Sequence, residues 1–346
     1  MEIKNKKKRN IKYQLLKSIV LKYFIIHEYI KIKIIFFFIL FLLFFYKTKT
    51  NIIPIAYALN NEFTLPLIVS LTSILYNRNN NTFYYFYIMI PNDFLKENKK
   101  KINGLKQKYK NCKIIFLNLK NKYHDWKTGG YYHTSTYYRL SLSDLITDFE
   151  KIIYLDCDTL IHKDLYEMFN LEMKDYYYMG IPNLEIGFME INGTRNFIGA
   201  GVMLINLKEL KKKKASILFE EYYKAFGTKK NDEYLINVVF YNKIGFLPLK
   251  FGLPDFDNKG FSVENFYKRF NGRLNITLNK FIEGAKNTSI THNNYILKKW
   301  WAKKYTNLTN IGKKWIFYAS KSNVYFDICE KYTQFKDICN LNKKNK

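Results

Sequence analysis

The sequence predicts an α/β fold, with a mostly parallel sheet and helices on both of its faces. Three observations predict it. Short apolar runs rich in β-branched and aromatic residues alternate with longer segments whose apolar residues recur at helical spacing. This alternation is regular from about Ile53 onward, with no internal repeat and no linker that would divide it. The fourth apolar run, ending YL at 154–155, opens directly onto two carboxylates, Asp156 and Asp158. Ligands of such sheets sit outside the carboxyl ends of the strands.

The first fifty residues stand apart. A basic opening, MEIKNKKKRN, leads to an unbroken apolar run from Ile34 to Tyr46. As a helix this run rises about 20 Å, short of the ~30 Å of bilayer hydrocarbon. Lys31, Lys33, Lys47 and Lys49 flank it and can snorkel. The one nearby small-x-small cleavage pattern, Ala56-Tyr57-Ala58, lies inside the first core strand. The expectation is therefore an uncleaved membrane anchor over residues 1–50 with its N-terminus in the cytosol. The alternative is an apolar helix lying on the membrane surface.

Residues 53–59 predict the first strand and 64–76 the first core helix. Then come a strand over 83–90, a Lys-rich helix over 94–108 and a strand over 113–117. A loop containing Gly129-Gly130 precedes a helix over about 134–145, followed by the strand 151–155. Asp164 and Glu167 have the spacing of a capping box for a short helix, a structural role that takes Asp164 out of the chemistry. GAGVMLINL (199–207) reads as a Gly-led strand, 208–226 as a helix stopped at Gly227, and 231–243 as another helix with Asp232 near its start. Periodicity weakens after about Phe251. The domain is expected to span 51–302, with 303–346 a basic, aromatic extension packed on or beside it.

Composition narrows the function. With 346 residues, 48% hydrophobic and 18% aromatic, the chain can bury a large core. The net charge of +28 comes almost wholly from Lys. Arg, which reads bases and phosphates bidentately, is scarce, so no nucleic-acid partner is expected. Four cysteines do not make a disulfide framework in a chain this long. Cys112 and Cys157 read as buried thiols, and Cys329 and Cys339 can pair in an oxidising compartment.

A D-x-D pair can cap a turn, line a solvated edge or ligate a hard divalent cation. The strand directly before Asp156 favours the cation, which lets two adjacent acids stay ionised. Mg²⁺ and Mn²⁺ sites of this kind are often completed by phosphate oxygens, which points to a bound diphosphate. No P-loop and no strand-linked G-x-G-x-x-G is present. His292 is one of five histidines, and as a third ligand it would favour Mn²⁺ over Mg²⁺.

Taken in order, IPIAYALNNEFTLPLIVSLTSIL, YLDCDTLIHKDLYEMF, FIGAGVMLINL, NDEYLINVVF and THNNYILKKWW resemble glycosyltransferase family 8. The resemblance covers about residues 52–302. It implies a GT-A type fold, a single Rossmann-like mixed sheet flanked by helices. It also implies retaining transfer of a hexose, glucose or galactose, from a UDP-sugar to a glycan, glycolipid or glycoprotein acceptor, with Mn²⁺ as cofactor and Mg²⁺ as the alternative. On this resemblance Asp156, Asp158 and His292 hold the metal. Lys298 and Arg139 lie near the diphosphate, and Ala200 and Gly201 near the donor. Ala58, Asn60 and Phe63 hold the uracil and ribose. Glu233 lies near the anomeric carbon, as stabiliser or nucleophile, and Asp232 holds sugar hydroxyls.

Several positions depart from the family pattern. Asn60 and Phe63 replace an acid and a Tyr, and Gly199 replaces an Asn. Tyr295 replaces a Gly, Lys299 a Pro, and Glu233 a Gln. These changes bear on sugar identity more than on reaction class. A membrane-tethered, non-catalytic sugar-nucleotide or glycan-binding scaffold is the main competing expectation. A sugar nucleotidyltransferase is disfavoured, since NNEFTLPL is not its signature loop. The anchor would place the enzyme as a single-pass type II lumenal protein in a eukaryote, or on the cytoplasmic face of the inner membrane in a bacterium. Asn80, Asn192, Asn275, Asn287 and Asn307 begin Asn-x-Ser/Thr patterns, which an Asn-rich chain also makes by chance.

Overall fold

The structure, a computed structural model, describes residues 2–45, 50–120, 122–128, 133–182, 197–226, 231–253, 262–270, 277–292, 310–332, 335 and 339. The chain divides into two units, Met1–Thr50 and Asn51–Lys346. In the first, Glu2–Phe45 form one helix. Among the described residues no helix is long and apolar enough to cross a membrane, so the expected spanning anchor is not supported. The reason lies in the sequence: from Ile34, just past Lys33, to the helix end at Phe45 the rise is only about 18 Å.

The second unit is built on a seven-stranded sheet. Its strands are β1 (Asn51–Ala58), β2 (Thr82–Ile90), β3 (Cys112–Asn118), β4 (Lys151–Leu155), β6 (Tyr178–Pro182), β7 (Ile198–Asn206) and β8 (Ile244–Phe246). The order is β3-β2-β1-β4-β7-β6-β8. All run one way except β7, which is antiparallel to both β4 and β6. A separate two-stranded ribbon joins β5 (Thr159–Ile161) to β9 (Ile290–His292).

Both faces of the sheet are covered, which is why β1 and β4 read as continuous apolar runs. Ile53, Ile55, Tyr57, Ile153 and Leu155 face a core shared with the helix Thr64–Tyr76. Ala56, Ile152 and Tyr154 face the other, shared with the helices Ala215–Phe226 and Asp232–Val239. Each fully buried Ile or Leu among them contributes roughly 1.5–3 kcal/mol. Near the C-terminus, the helix Asn310–Ser320 lies on Thr64–Tyr76, where Tyr318 accepts a 2.9 Å hydrogen bond from Asn77. Cys329 and Cys339 form a disulfide, and Cys112 and Cys157 are buried cysteines outside any disulfide.

The structure differs from the sequence reading at a few elements. Thr134–Ser141 is a 3₁₀ helix followed by one α turn, Leu142–Leu145. The expected helix over 208–226 is two helices, Leu207–Lys212 and Ala215–Phe226. It breaks in a run of four lysines, where Lys214 takes a left-handed φ of 51° and no apolar side chain is available to hold a continuous face. The helix expected over 231–243 ends at Val239 and passes into a 3₁₀ turn. Gly227 lies outside the described residues. The capping box does not close. Asp164 accepts from Tyr166 N at 2.8 Å and also from Asn79 N and the Tyr84 hydroxyl, while Glu167 pairs with Lys250 instead. Asp164 is structural, as expected, but it ties three segments together.

Candidate active site

Because β7 alone runs backwards, its first residues emerge at the carboxyl ends of the other strands. Leu155 pairs with Val202, so Gly201 stands beside Asp156, and its carbonyl accepts from Asp156 N at 2.8 Å. The chain then turns tightly. Thr159 Oγ1 donates to the Asp156 carbonyl at 2.8 Å, and β5 departs toward β9. In that ribbon Thr159 is paired with His292. The register delivers the imidazole to the two acids.

Asp156, Asp158 and His292 each offer a ligand atom, and these atoms lie within 4.8 Å of one another. His292 Nε2 is 3.3 Å from Asp158 Oδ1 and 3.8 Å from Asp156 Oδ2. It is buried and makes no aligned hydrogen bond, although the Asp158 oxygen is near enough for one. Burial pushes the imidazole pKa down, but the close polar contact with Asp158, together with the charges of Asp158 and Asp156, outweighs this and raises it. Two acids and an imidazole converging at this spacing fit a divalent cation.

Arg139, on the 3₁₀ helix, reaches into this cluster and is almost fully buried. Its Nη2 donates to Asp156 Oδ1 at 3.0 Å, its Nη1 donates to the Ala200 carbonyl, and its side chain lies over the Tyr154 ring. Its Nε is 2.9 Å from Asp232 Oδ2, yet the N–H is directed at the Thr136 carbonyl. Asp232 Oδ2 is thus ion-paired but makes no aligned hydrogen bond. Burial, opposed by Arg139, pushes the Asp232 carboxyl up to about 6. Burial disfavours the Arg139 charge, but Asp156 and Asp232 more than restore it.

Asp232 and Glu233 form the first turn of a helix capped by the Asn231 side chain. Glu233 Oε2 accepts from Ala200 N at 3.0 Å. Asn237, one turn on, clamps the helix to β7. Its amide oxygen accepts from Ile198 N, and its nitrogen donates to the Ile198 and Glu233 carbonyls. Asn237 and Tyr154 were not singled out from sequence. The available signals were Tyr154's place two residues before Asp156 and Asn237's place one turn after Glu233.

The expected nucleotide-binding residues sit at the end of β1. Ala58 accepts from the Cys157 thiol at 3.7 Å, which ties this end to the D-x-D turn. The Asn60 side-chain oxygen caps the following 3₁₀ turn by accepting from Glu62 N at 3.1 Å, and Phe63 packs against the core. Lys298, Tyr295 and Lys299 lie outside the described residues.

Comparison with known proteins agrees with this geometry. Residues 54–300 match the family Glycosyl transferase family 8. A Haemophilus influenzae protein assigned as a glycosyltransferase is 30% identical over 203 residues, 55% of this chain and 60% of the relative. The Escherichia coli lipopolysaccharide 1,2-glucosyltransferase is 24% identical over 236 residues, 62% of this chain and 67% of that protein. The chain therefore spans less than two thirds of the Haemophilus relative's length. Among solved structures, the galactosyltransferase LgtC, in complex with donor and acceptor sugar analogues, has a TM-score of 0.64 at 18% identity, over 78% of this chain and 96% of that one. The bifunctional glycosyltransferase WbbM has a TM-score of 0.67 at 16% identity, over 83% of this chain and 52% of that one. At such identities the structural likeness establishes the fold, and the family match over most of the chain establishes the kinship: this protein belongs to glycosyl transferase family 8.

Proposed function

We propose that this protein transfers a hexose, glucose or galactose, from a UDP-sugar to a glycan, glycolipid or glycoprotein acceptor with retention of configuration, and that it depends on Mn²⁺. The observation that carries the reading is the convergence of Asp156, Asp158 and the buried, unaligned Nε2 of His292 at the carboxyl end of β4. The acid, acid and imidazole donors suit Mn²⁺, and Gly201 leaves room for them. The ion, when bound, would neutralise charge on a diphosphate leaving group.

The chain's own residues supply the rest of the mechanism. Ala58, Asn60 and Phe63 hold the base and ribose at the end of β1, and Lys298 adds positive charge for the phosphates. Arg139, oriented by Asp156 and Asp232, keeps a buried cation beside the donor. Asp232 orients sugar hydroxyls. Glu233, held by the Ala200 amide, presents a carboxylate to positive charge that develops at the anomeric carbon. We also propose that the N-terminal helix attaches the enzyme to a membrane surface. The exposed apolar residues Ile34–Phe41 and the neighbouring lysines support this.

The test is UDP release from a panel of UDP-sugars with and without Mn²⁺. Turnover that requires Mn²⁺, is lost in Asp158→Ala and persists per folded molecule in Asp164→Ala is the expected result. No Mn²⁺-dependent binding or turnover with any UDP-sugar would refute the reading and favour a non-catalytic scaffold.

A further inference from the structure

The two oxygens of Asp156 have different surroundings. Oδ1 accepts from Arg139 Nη2 at 3.0 Å and from the Tyr154 hydroxyl at 3.1 Å. Oδ2 is turned toward His292 Nε2, 3.8 Å away, and lies over Gly201. Tyr154 reaches Asp156 because residues two apart on an extended strand project from the same face. Its ring is completely buried, with the Arg139 guanidinium carbon 4.3 Å from the ring centroid. Ring and guanidinium therefore hold each other in place, and both end on the same carboxylate oxygen.

We propose that Tyr154 is a positioning residue for the metal centre: with Arg139 it occupies Oδ1 of Asp156, so that only Oδ2 is presented to the divalent cation. This inference rests on the metal reading of the site proposed above. Its physical basis is that a carboxylate is free to rotate and can chelate through both oxygens unless one of them is already hydrogen-bonded. With two donors on Oδ1, rotation would break two buried hydrogen bonds at once, one of them charge-assisted. The ion would then meet one oxygen of Asp156, with Asp158 and His292 as the other residues that would hold it. Groups that fix the orientation of a metal ligand in this way typically account for 10–100-fold of metal affinity.

Tyr154→Phe is the informative variant, since it keeps the ring beneath Arg139 and removes one hydroxyl. Mn²⁺ affinity should be measured by equilibrium titration, followed by electron paramagnetic resonance of free Mn²⁺, alongside thermal unfolding of the metal-free protein. The expected result is affinity weaker by about 10–100-fold in a variant that still folds. Unchanged Mn²⁺ affinity in Tyr154→Phe, with or without lower thermal stability, overturns the positioning role. Wild-type protein that binds no Mn²⁺ overturns the metal centre itself and this role with it. A second measurement uses wild-type protein and so stands even if the variant does not fold. Infrared difference spectra on Mn²⁺ addition should show the wide carboxylate splitting of one-oxygen coordination in the band lost in Asp156→Asn. The narrow splitting of a chelating carboxylate in that band would overturn the proposal.

Discussion

Gly201 and His292 stand so close that any side chain at position 201 would have to displace the imidazole. A Cβ built there would overlap Cε1 of His292 and lie 2.8 Å from both Nδ1 of His292 and Oδ2 of Asp156. The imidazole rests on the bare backbone of β7, and this contact joins the small β5–β9 ribbon to the main sheet at the site.

Gly201→Ala should therefore displace His292. Overpacking of this kind typically destabilises by about 1–3 kcal/mol. The more specific effect is a fall in Mn²⁺ affinity of roughly tenfold or more, as for other changes that disturb a ligand's orientation. Mn²⁺ titration of the folded variant reads it out, and wild-type affinity there would show that His292 is not held by this contact.

Arg139→Ala would remove the buried cation paired with Asp232 and one of the two donors, Arg139 and Tyr154, on Asp156 Oδ1. Breaking a buried pair from one side typically destabilises by about 3–5 kcal/mol. Denaturant unfolding should show a loss of that order. A loss below about 1 kcal/mol, the level of an exposed ion pair, would mean the pair contributes little.

Asp232 should give the metal-free protein a recognisable pH dependence. Its carboxyl stands at about 6 when folded, against the ordinary 3.8. The folded state thus holds this proton more tightly than the unfolded state. The contribution to stability is full below pH 3.8, declines as pH rises to about 6, and is level above that. The interval corresponds to roughly 3 kcal/mol. Unfolding free energies of wild type and Asp232→Asn at several values from pH 4 to 7 check it. Wild type should lose stability relative to the variant across that window, and a constant difference would contradict the assignment.

Glu233→Gln and Glu233→Ala test the carboxylate at the start of its helix. If it stabilises charge in the transition state, both variants should lose about 10²-fold or more in kcat with little change in KM. UDP binding should stay near wild type. Wild-type turnover in both variants would remove Glu233 from the chemistry.

Much of this arrangement is legible in the chain, and the pattern of what is missed has a physical cause. The strand 151–155 and the helix 64–76 were readable to the residue because each is a continuous run whose composition alone signals burial. The ribbon strands Thr159–Ile161 and Ile290–His292 have three residues each, too few for a period to show. Their stability comes from pairing with a segment far along the chain, and no local pattern records that partner. The same holds for Asn237, two of whose three hydrogen bonds cross to Ile198 on β7, a partner that its own helix does not reveal.

The sequence by itself determined the α/β class, the two acids at the end of the fourth strand, and the resemblance that the family match bears out. These depend on composition and spacing within single segments, and such features persist in a linear text. Only the tertiary structure decided which oxygen of Asp156 Arg139 and Tyr154 occupy, how the reversed β7 brings Gly201 and Ala200 to the site, and how close His292 stands to both acids. Those are relations among segments brought together by sheet order and register, whose energies arise from burial and pairing across the fold.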